Sequence, residues 1–137
     1  MLEIFERVSR SIADTNRVRI LKMLEPGELC VCQITAILGL APATVSKHLS
    51  LLRTAGLLSH RKEGRWVFYR LSKYDNNKFV PTVLGLMQGI LDDDPTIAED
   101  KARLHQVNAV PLETLCGEGR HLFTKQPRHK ISSRATN

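Results

Sequence analysis

Two cysteines one residue apart, Cys30 and Cys32, carry the most distinctive chemistry in the sequence. Thiolates are soft ligands and suit soft, thiophilic ions. The apolar pattern starts a short helix at this point, and the free amides of a helix N-terminus favour a thiolate. On a regular helix, residues i and i+2 point about 200° apart. Both sulfurs would then reach one small pyramidal centre only if the first turn unwinds, so ligand binding is expected to deform the helix. A third thiol, Cys116, lies in a Gly-flanked stretch far along the chain. It could fold back, within its own chain or onto a partner copy, to complete a three-sulfur site. Two blander readings stand beside this one. Cys116 could be a bystander to a Cys30 and Cys32 pair, and both members of that pair could be small buried apolar residues, as free cysteine often is.

A second chemistry lies in residues 42–54. Placed on a wheel at 100° per residue, Val45, Leu49 and Leu52 share one face, whereas Ala43, Ser46, Lys47, Ser50 and Arg53 gather opposite, with Thr44 and His48 at the border. Small residues, hydroxyls and cations on a free helix face are what entry into a major groove requires, because bulky or acidic side chains would block it or repel phosphates. Downstream, Arg61, Lys62 and Arg65 surround a Glu63-Gly64 turn and are spaced to meet phosphates or a minor groove. The bland alternative is a solvated helix face and a merely charged hairpin.

Periodicity and punctuation along the chain define the elements that carry these groups. Apolar residues recur at helical spacing over 2–12, and Asp14-Thr15 caps a second helix ended by Pro26-Gly27. A third short helix spans 29–38 and stops at Gly39; Pro42 opens a fourth that runs to 54. After Ala55-Gly56 the period changes to two, giving a hairpin with strands over 57–61 and 66–71. Residues 79–91 form an apolar helix whose stripe is wider than a lone surface helix needs, which calls for a partner. Asp94-Pro95 starts a last helix to about residue 107; 111–123 is partly ordered, and 124 onward is disordered by composition. The expected division is a DNA-binding and dimerising unit over 1–91, a Cys-containing extension over 92–123, and a basic tail over 124–137.

Bulk composition narrows the class. A chain of 137 residues with 42% hydrophobic content fits one core. Of its net charge of +6, four units come from Lys125, Arg128, Lys130 and Arg134 in the acid-free tail. The folded body is therefore only mildly basic, and any case for nucleic acid rests on where its cations sit. The N-terminus has no signal-like succession and no apolar run reaches bilayer length, so no membrane partner and a cytoplasmic location are expected. Three cysteines in a reducing compartment argue against a disulfide framework. His105, His121 and His129 are scattered without ligand-like spacing.

The successive segments Asp14-Thr15-Asn16-Arg17-Val18-Arg19-Ile20-Leu21, Glu28-Leu29-Cys30-Val31-Cys32, Thr44-Val45-Ser46-Lys47-His48-Leu49-Ser50-Leu51-Leu52 and Ala55-Gly56-Leu57-Leu58 resemble, in this order, the signatures of the ArsR/SmtB winged-helix repressors. The likeness extends over residues 2–91. It implies a mostly helical winged helix-turn-helix fold: four helices, a hairpin wing, a fifth helix and here an added C-terminal helix. It further implies a homodimer joined through its first and last helices, double-stranded operator DNA as partner, and derepression by a toxic metal or metalloid. By this resemblance the recognition helix is 42–54, the wing is 58–71, and Glu-Leu-Cys-Val-Cys is similar to the inducer segment of As(III) and Sb(III) sensors. The best-known of those have a further cysteine where this chain has Thr35. Hence either Cys116 supplies the third thiol or two thiolates bind As(III) or a trivalent methylated arsenical. A zinc site on the dimer helix, as in other branches, needs His and carboxylates that 79–91 lacks.

Taken together, these readings point to a non-enzymatic repressor with candidate ligands Cys30, Cys32 and Cys116 and candidate DNA contacts Thr44, Ser46, Lys47, His48, Ser50, Arg61, Lys62 and Arg65. Three rivals remain at this level. One is a thiol-redox switch; another is a thiol oxidoreductase, which would need a βαβ context that the pattern lacks; the third is a ligand-blind DNA-binding module.

Overall fold

The computed structural model describes residues 1–73 and 77–119. Helices α1 (Leu2–Ser11) and α2 (Thr15–Met23) lead into strand β1 (Leu29–Cys30), α3 (Val31–Leu38) and α4 (Pro42–Thr54). Strands β2 (Leu58–Glu63) and β3 (Trp66–Leu71) follow, then α5 (Phe79–Met87) and α6 (Pro95–Asn108). A turn of helix at Leu112–Thr114 runs into a π-turn at Leu115–Gly119. The expected tail over 124–137 and His121 and His129 lie outside the described residues.

Local chemistry accounts for most boundaries. The Asp14 carboxylate accepts from the amides of Asn16 and Arg17 at 2.8 and 3.1 Å and starts α2, and Asp94 does the same for α6 through Thr96 and Ile97. Gly39, at φ 69°, ends α3 in the left-handed conformation, and its amide donates to the Thr35 carbonyl at 2.9 Å. The chain then turns by 113° between the axes of α3 and α4, the angle of a helix-turn-helix.

Two boundaries depart from the sequence expectation. Residues 29 and 30 do not begin the third helix; they form β1, antiparallel to β3, with Leu29 opposite Tyr69 and Cys30 opposite Phe68. A two-residue strand has no period to read, and it pairs here because β3 would otherwise present an open edge. The hairpin is thus a three-stranded sheet in the order β1-β3-β2. Helix α5 stops at Met87, short of residue 91: Gln88 is extended, and Gly89 and Leu91 have φ of 79° and 67°. The buried Lys22 ammonium donates to the Met87 carbonyl at 2.9 Å and also pairs with Glu25 and Asp92, giving the truncated helix a charged C-terminal partner.

One apolar cluster unites these pieces. Ile20, Leu21, Ile34, Ile37, Val45, Leu49, Leu52 and Leu57 are essentially inaccessible, and α6 contributes Leu104 and Val107. Each fully buried aliphatic side chain of this kind is worth about 2 kcal/mol. Across the core boundary, Arg19 forms a two-pronged bond to the buried Asp100, 2.8 Å on each prong, tying α2 to α6. Leu2, Phe5, Leu86, Ile90 and Leu91 remain exposed, and the Phe5 and Phe79 rings of α1 and α5 meet edge to face.

Candidate thiol cluster and nucleic-acid interface

Cys30 ends β1 and serves as the N-cap of α3, with extended backbone angles of φ −77° and ψ 152°. Its amide donates to the Gln33 side-chain oxygen at 2.8 Å, which holds the junction. Because Cys30 lies off the helical path, the 200° divergence expected of two helical positions does not arise. The sulfurs of Cys30, Cys32 and Cys116 all lie within 4.8 Å of one another. The expectation that the first turn must unwind before both sulfurs converge is therefore corrected: the strand-to-helix junction has already turned Cys30 toward its neighbour.

Cys116 arrives from its own chain. The segment after α6 is anchored by Leu115, which is wholly buried in the core, and this places the next residue against α3. Cys32 and Cys116 are joined as a disulfide with a Cα separation of 5.3 Å, and Cys30 is the free, buried thiol beside them. The expectation against disulfides is thus overturned at one pair, across 84 residues of sequence. Thr35, at the position where the resembled sensors have a further cysteine, is buried and its hydroxyl donates to the Val31 carbonyl at 2.8 Å. Two further bonds brace α3 from α6: Gln33 to Asn108, and Arg103 to the Ile37 carbonyl.

The junction also touches the wing directly. Glu28, one residue before β1, receives both prongs of the Arg61 guanidinium, at 3.1 and 2.5 Å, and Glu63 takes a third bond at 2.6 Å. Arg61 also lies over the Phe68 ring, whose residue pairs with Cys30. The bonds from Arg61 hold the Glu28 carboxyl below the ordinary glutamate range, and the two carboxylates push the guanidinium further up. Arg61 is thus engaged at the base of the wing, whereas Lys62 makes no ion pair among the described residues and Arg65 lies at the tip over the Trp66 ring. Sequence reading missed Glu28 because its partner lies 33 residues away.

On α4 the two faces separate as the wheel predicts. Val45, Leu49 and Leu52 are buried, whereas Thr44, Ser46, Lys47, Ser50 and Arg53 are exposed and His48 is half-buried. Thr44, Lys47 and His48 line an open cleft of about 510 Å³ together with Arg17 of α2, which sequence reading did not single out. No single helix among the described residues is long and apolar enough to cross a membrane. His105 is exposed on α6.

Residues 14–60 match the family described as "Bacterial regulatory protein, arsR family". The chain is 36% identical over 107 residues to the arsenic resistance transcriptional regulator ArsR1 of Pseudomonas putida, covering 76% of this chain and 80% of that protein. It is 48% identical over 64 residues to the arsenical resistance operon repressor of Escherichia coli, covering 46% of this chain and 55% of the relative. A solution structure of a homodimeric winged helix-turn-helix DNA-binding domain from Mycobacterium bovis superposes with a TM-score of 0.56 at 31% identity, covering 66% of this chain and 81% of that one.

Proposed function

Since this chain belongs to the arsR family of bacterial transcriptional regulators, we propose that it is a homodimeric repressor released from its operator when trivalent arsenic, or antimony, bridges Cys30, Cys32 and Cys116. The family regulates transcription and is not enzymatic, which sets the thiol-oxidoreductase reading aside. The observation that carries the proposal is the convergence of three sulfurs within 4.8 Å at the junction that links wing and helix-turn-helix. Soft thiolates in a pyramidal set suit a trivalent metalloid. Arsenious acid would exchange its three hydroxides for three thiolates, the thiol protons leaving with the hydroxides as three waters. No oxidation state changes in that step. The Cys32 and Cys116 disulfide must first be opened by a cellular dithiol or glutathione-type reductant, which takes up the bond's two electrons' worth of oxidation as its own disulfide.

The arrangement also supports a coupling route. Cys30 is shared by β1, which pairs with the wing strand β3, and by the cap of α3, which leads through Gly39 into α4. Drawing three sulfurs onto one centre would displace Cys30 and with it the wing and the recognition helix, so inducer and operator would compete through one element. Thr44, Ser46, Lys47, His48 and Ser50 would enter the major groove, with Arg61, Lys62 and Arg65 meeting the backbone. Two-fold pairing through α1 and α5 would set a palindromic site with half-sites about one helical turn apart.

The test is anisotropy of labelled DNA from upstream of the protein's own coding sequence, with reduced protein, with and without arsenite. Wild type should release, and Cys30→Ser, Cys32→Ser and Cys116→Ser should bind but fail to release. A response retained by Cys116→Ser reduces the site to a pair, which would also accept a methylated arsenical; a wild type indifferent to arsenite and antimonite sinks the reading. A second reading, a thiol-redox repressor, draws on the Cys32–Cys116 bond. Release by hydroperoxide but not by arsenite would select it.

A further inference from the structure

Arg17 is 15% exposed at its side chain and joins three helices. Its Nε donates to the Ser11 carbonyl at 2.7 Å and its Nη2 to the Arg10 carbonyl at 3.3 Å, closing the C-terminal end of α1. Its Nη1 stands 3.1 Å from Nδ1 of His48 on α4. A guanidinium has donors only and does not lose its proton in proteins. Nδ1 must therefore accept, and in the neutral ring the single proton is left on Nε2. No carbonyl or side chain among the described residues accepts from Nε2, and the ring lines the cleft shared with Thr44 and Lys47.

We infer that Arg17 is a positioning residue that locks His48 as an Nε2–H donor directed at a hydrogen-bond acceptor on the operator. The inference rests on α4 being the DNA-reading helix. An imidazole free to exchange tautomers could pair with donors and acceptors alike; one held by Arg17 can only donate. Acceptors in reach of a recognition helix are purine N7, guanine O6, thymine O4 and phosphate oxygens, whereas the amino groups of cytosine and adenine are donors and would be rejected. The same guanidinium that ties α4 to the end of α1 thereby decides what one of its border residues can read.

The first measurement needs no variant: two-bond nitrogen–proton spectra of protein labelled at histidine, with His48 assigned through His48→Gln. The expected result is a single Nε2–H tautomer whose Nδ1 resonance is displaced from those of the other four histidines by its bound donor. Arg17→Met should return it to their range, and Arg17→Lys should keep part of the displacement. A wild-type Nδ1 resonance like the others, or an Nδ1–H tautomer, overturns the inference even if Arg17→Met fails to fold.

The second measurement uses the duplex that wild type protects upstream of its own coding sequence, altered one position at a time. Replacement by 7-deazapurine removes N7, 2-aminopurine removes guanine O6, 5-methyl-2-pyrimidinone removes thymine O4, and methylphosphonate removes a charged oxygen. One of these should cost wild type about tenfold in affinity, the scale of one hydrogen bond, and Arg17→Met about threefold or less; which one identifies base edge or backbone. Binding that is indifferent to every replacement sinks this inference alone, whereas no binding to the duplex at all sinks the operator reading beneath it.

Discussion

At the scale of single residues, the charged pairs differ sharply in what they can be worth. Arg19 and Asp100 meet where both are largely withdrawn from water, with Asn16 accepting a further bond from the guanidinium. Removing one partner from such a pair leaves the other charge poorly solvated, so Asp100→Ala should lower unfolding stability by about 3 kcal/mol, read by urea denaturation. Replacing both by apolar residues of similar volume should recover most of the loss. Glu28 and Arg61 are more exposed and contribute little stability, yet their titration is informative. The Glu28 carboxyl is held low in the folded state. The stabilisation it brings is therefore present above the ordinary glutamate value and is lost as pH falls through the lower folded-state value. A carbon-detected titration should show its midpoint below that of an exposed glutamate in wild type and return it upward in Arg61→Gln. An unmoved midpoint would mean that the pair does not form in solution.

At the scale of elements, the junction of β1 and α3 is the decisive feature. Two residues of strand turn Cys30 out of the helical path, add a third strand beside the wing and put Glu28 within reach of Arg61. While Glu28 and Glu63 hold Arg61, the guanidinium is occupied; Glu28→Gln combined with Glu63→Gln should release it to a phosphate. The expected outcome is tighter operator binding and a slope of log affinity against log salt steeper by about one, measured by anisotropy across a salt series. An unchanged slope would place Arg61 outside the DNA interface. The thiol cluster reaches into the wing as well as the helix, because Cys30 both caps α3 and pairs with β3.

At the scale of the whole molecule, the unfilled requirement is the apolar face of α1 and α5. Leu2 is 83% exposed and Leu86 64%, and Phe5, Ile90 and Leu91 are exposed as well. A second copy laid on this face would bury it and generate the two-fold axis that a palindromic operator demands. Leu86→Asp should therefore shift sedimentation from dimer to monomer and weaken operator binding by at least tenfold, since one half-site contact set is lost. A variant that sediments unchanged would remove α5 from the interface.

Whatever is local in this fold is legible in the order of its residues. Caps at Asp14 and Asp94, the Gly39 stop, the helical wheel of residues 42–54 and the period-two hairpin are written in neighbouring residues, because capping, left-handed turns and amphipathic burial depend on spacing within a few positions. The same wheel marked the candidate DNA face and the Cys30 and Cys32 spacing marked the first two thiols, to which the four ordered segments added the family resemblance. Whatever depends on distant partners was fixed only by packing. It brought Cys116 to Cys32 across 84 positions, drew residues 29 and 30 into a strand, and seated Arg17 against His48. It also stopped α5 at Met87, where the buried Lys22 meets the last carbonyl. These contacts are set by burial of Leu115, by pairing of an open sheet edge and by long side chains crossing between elements. Such choices are made by the packed core as a whole and leave no periodic trace in the chain.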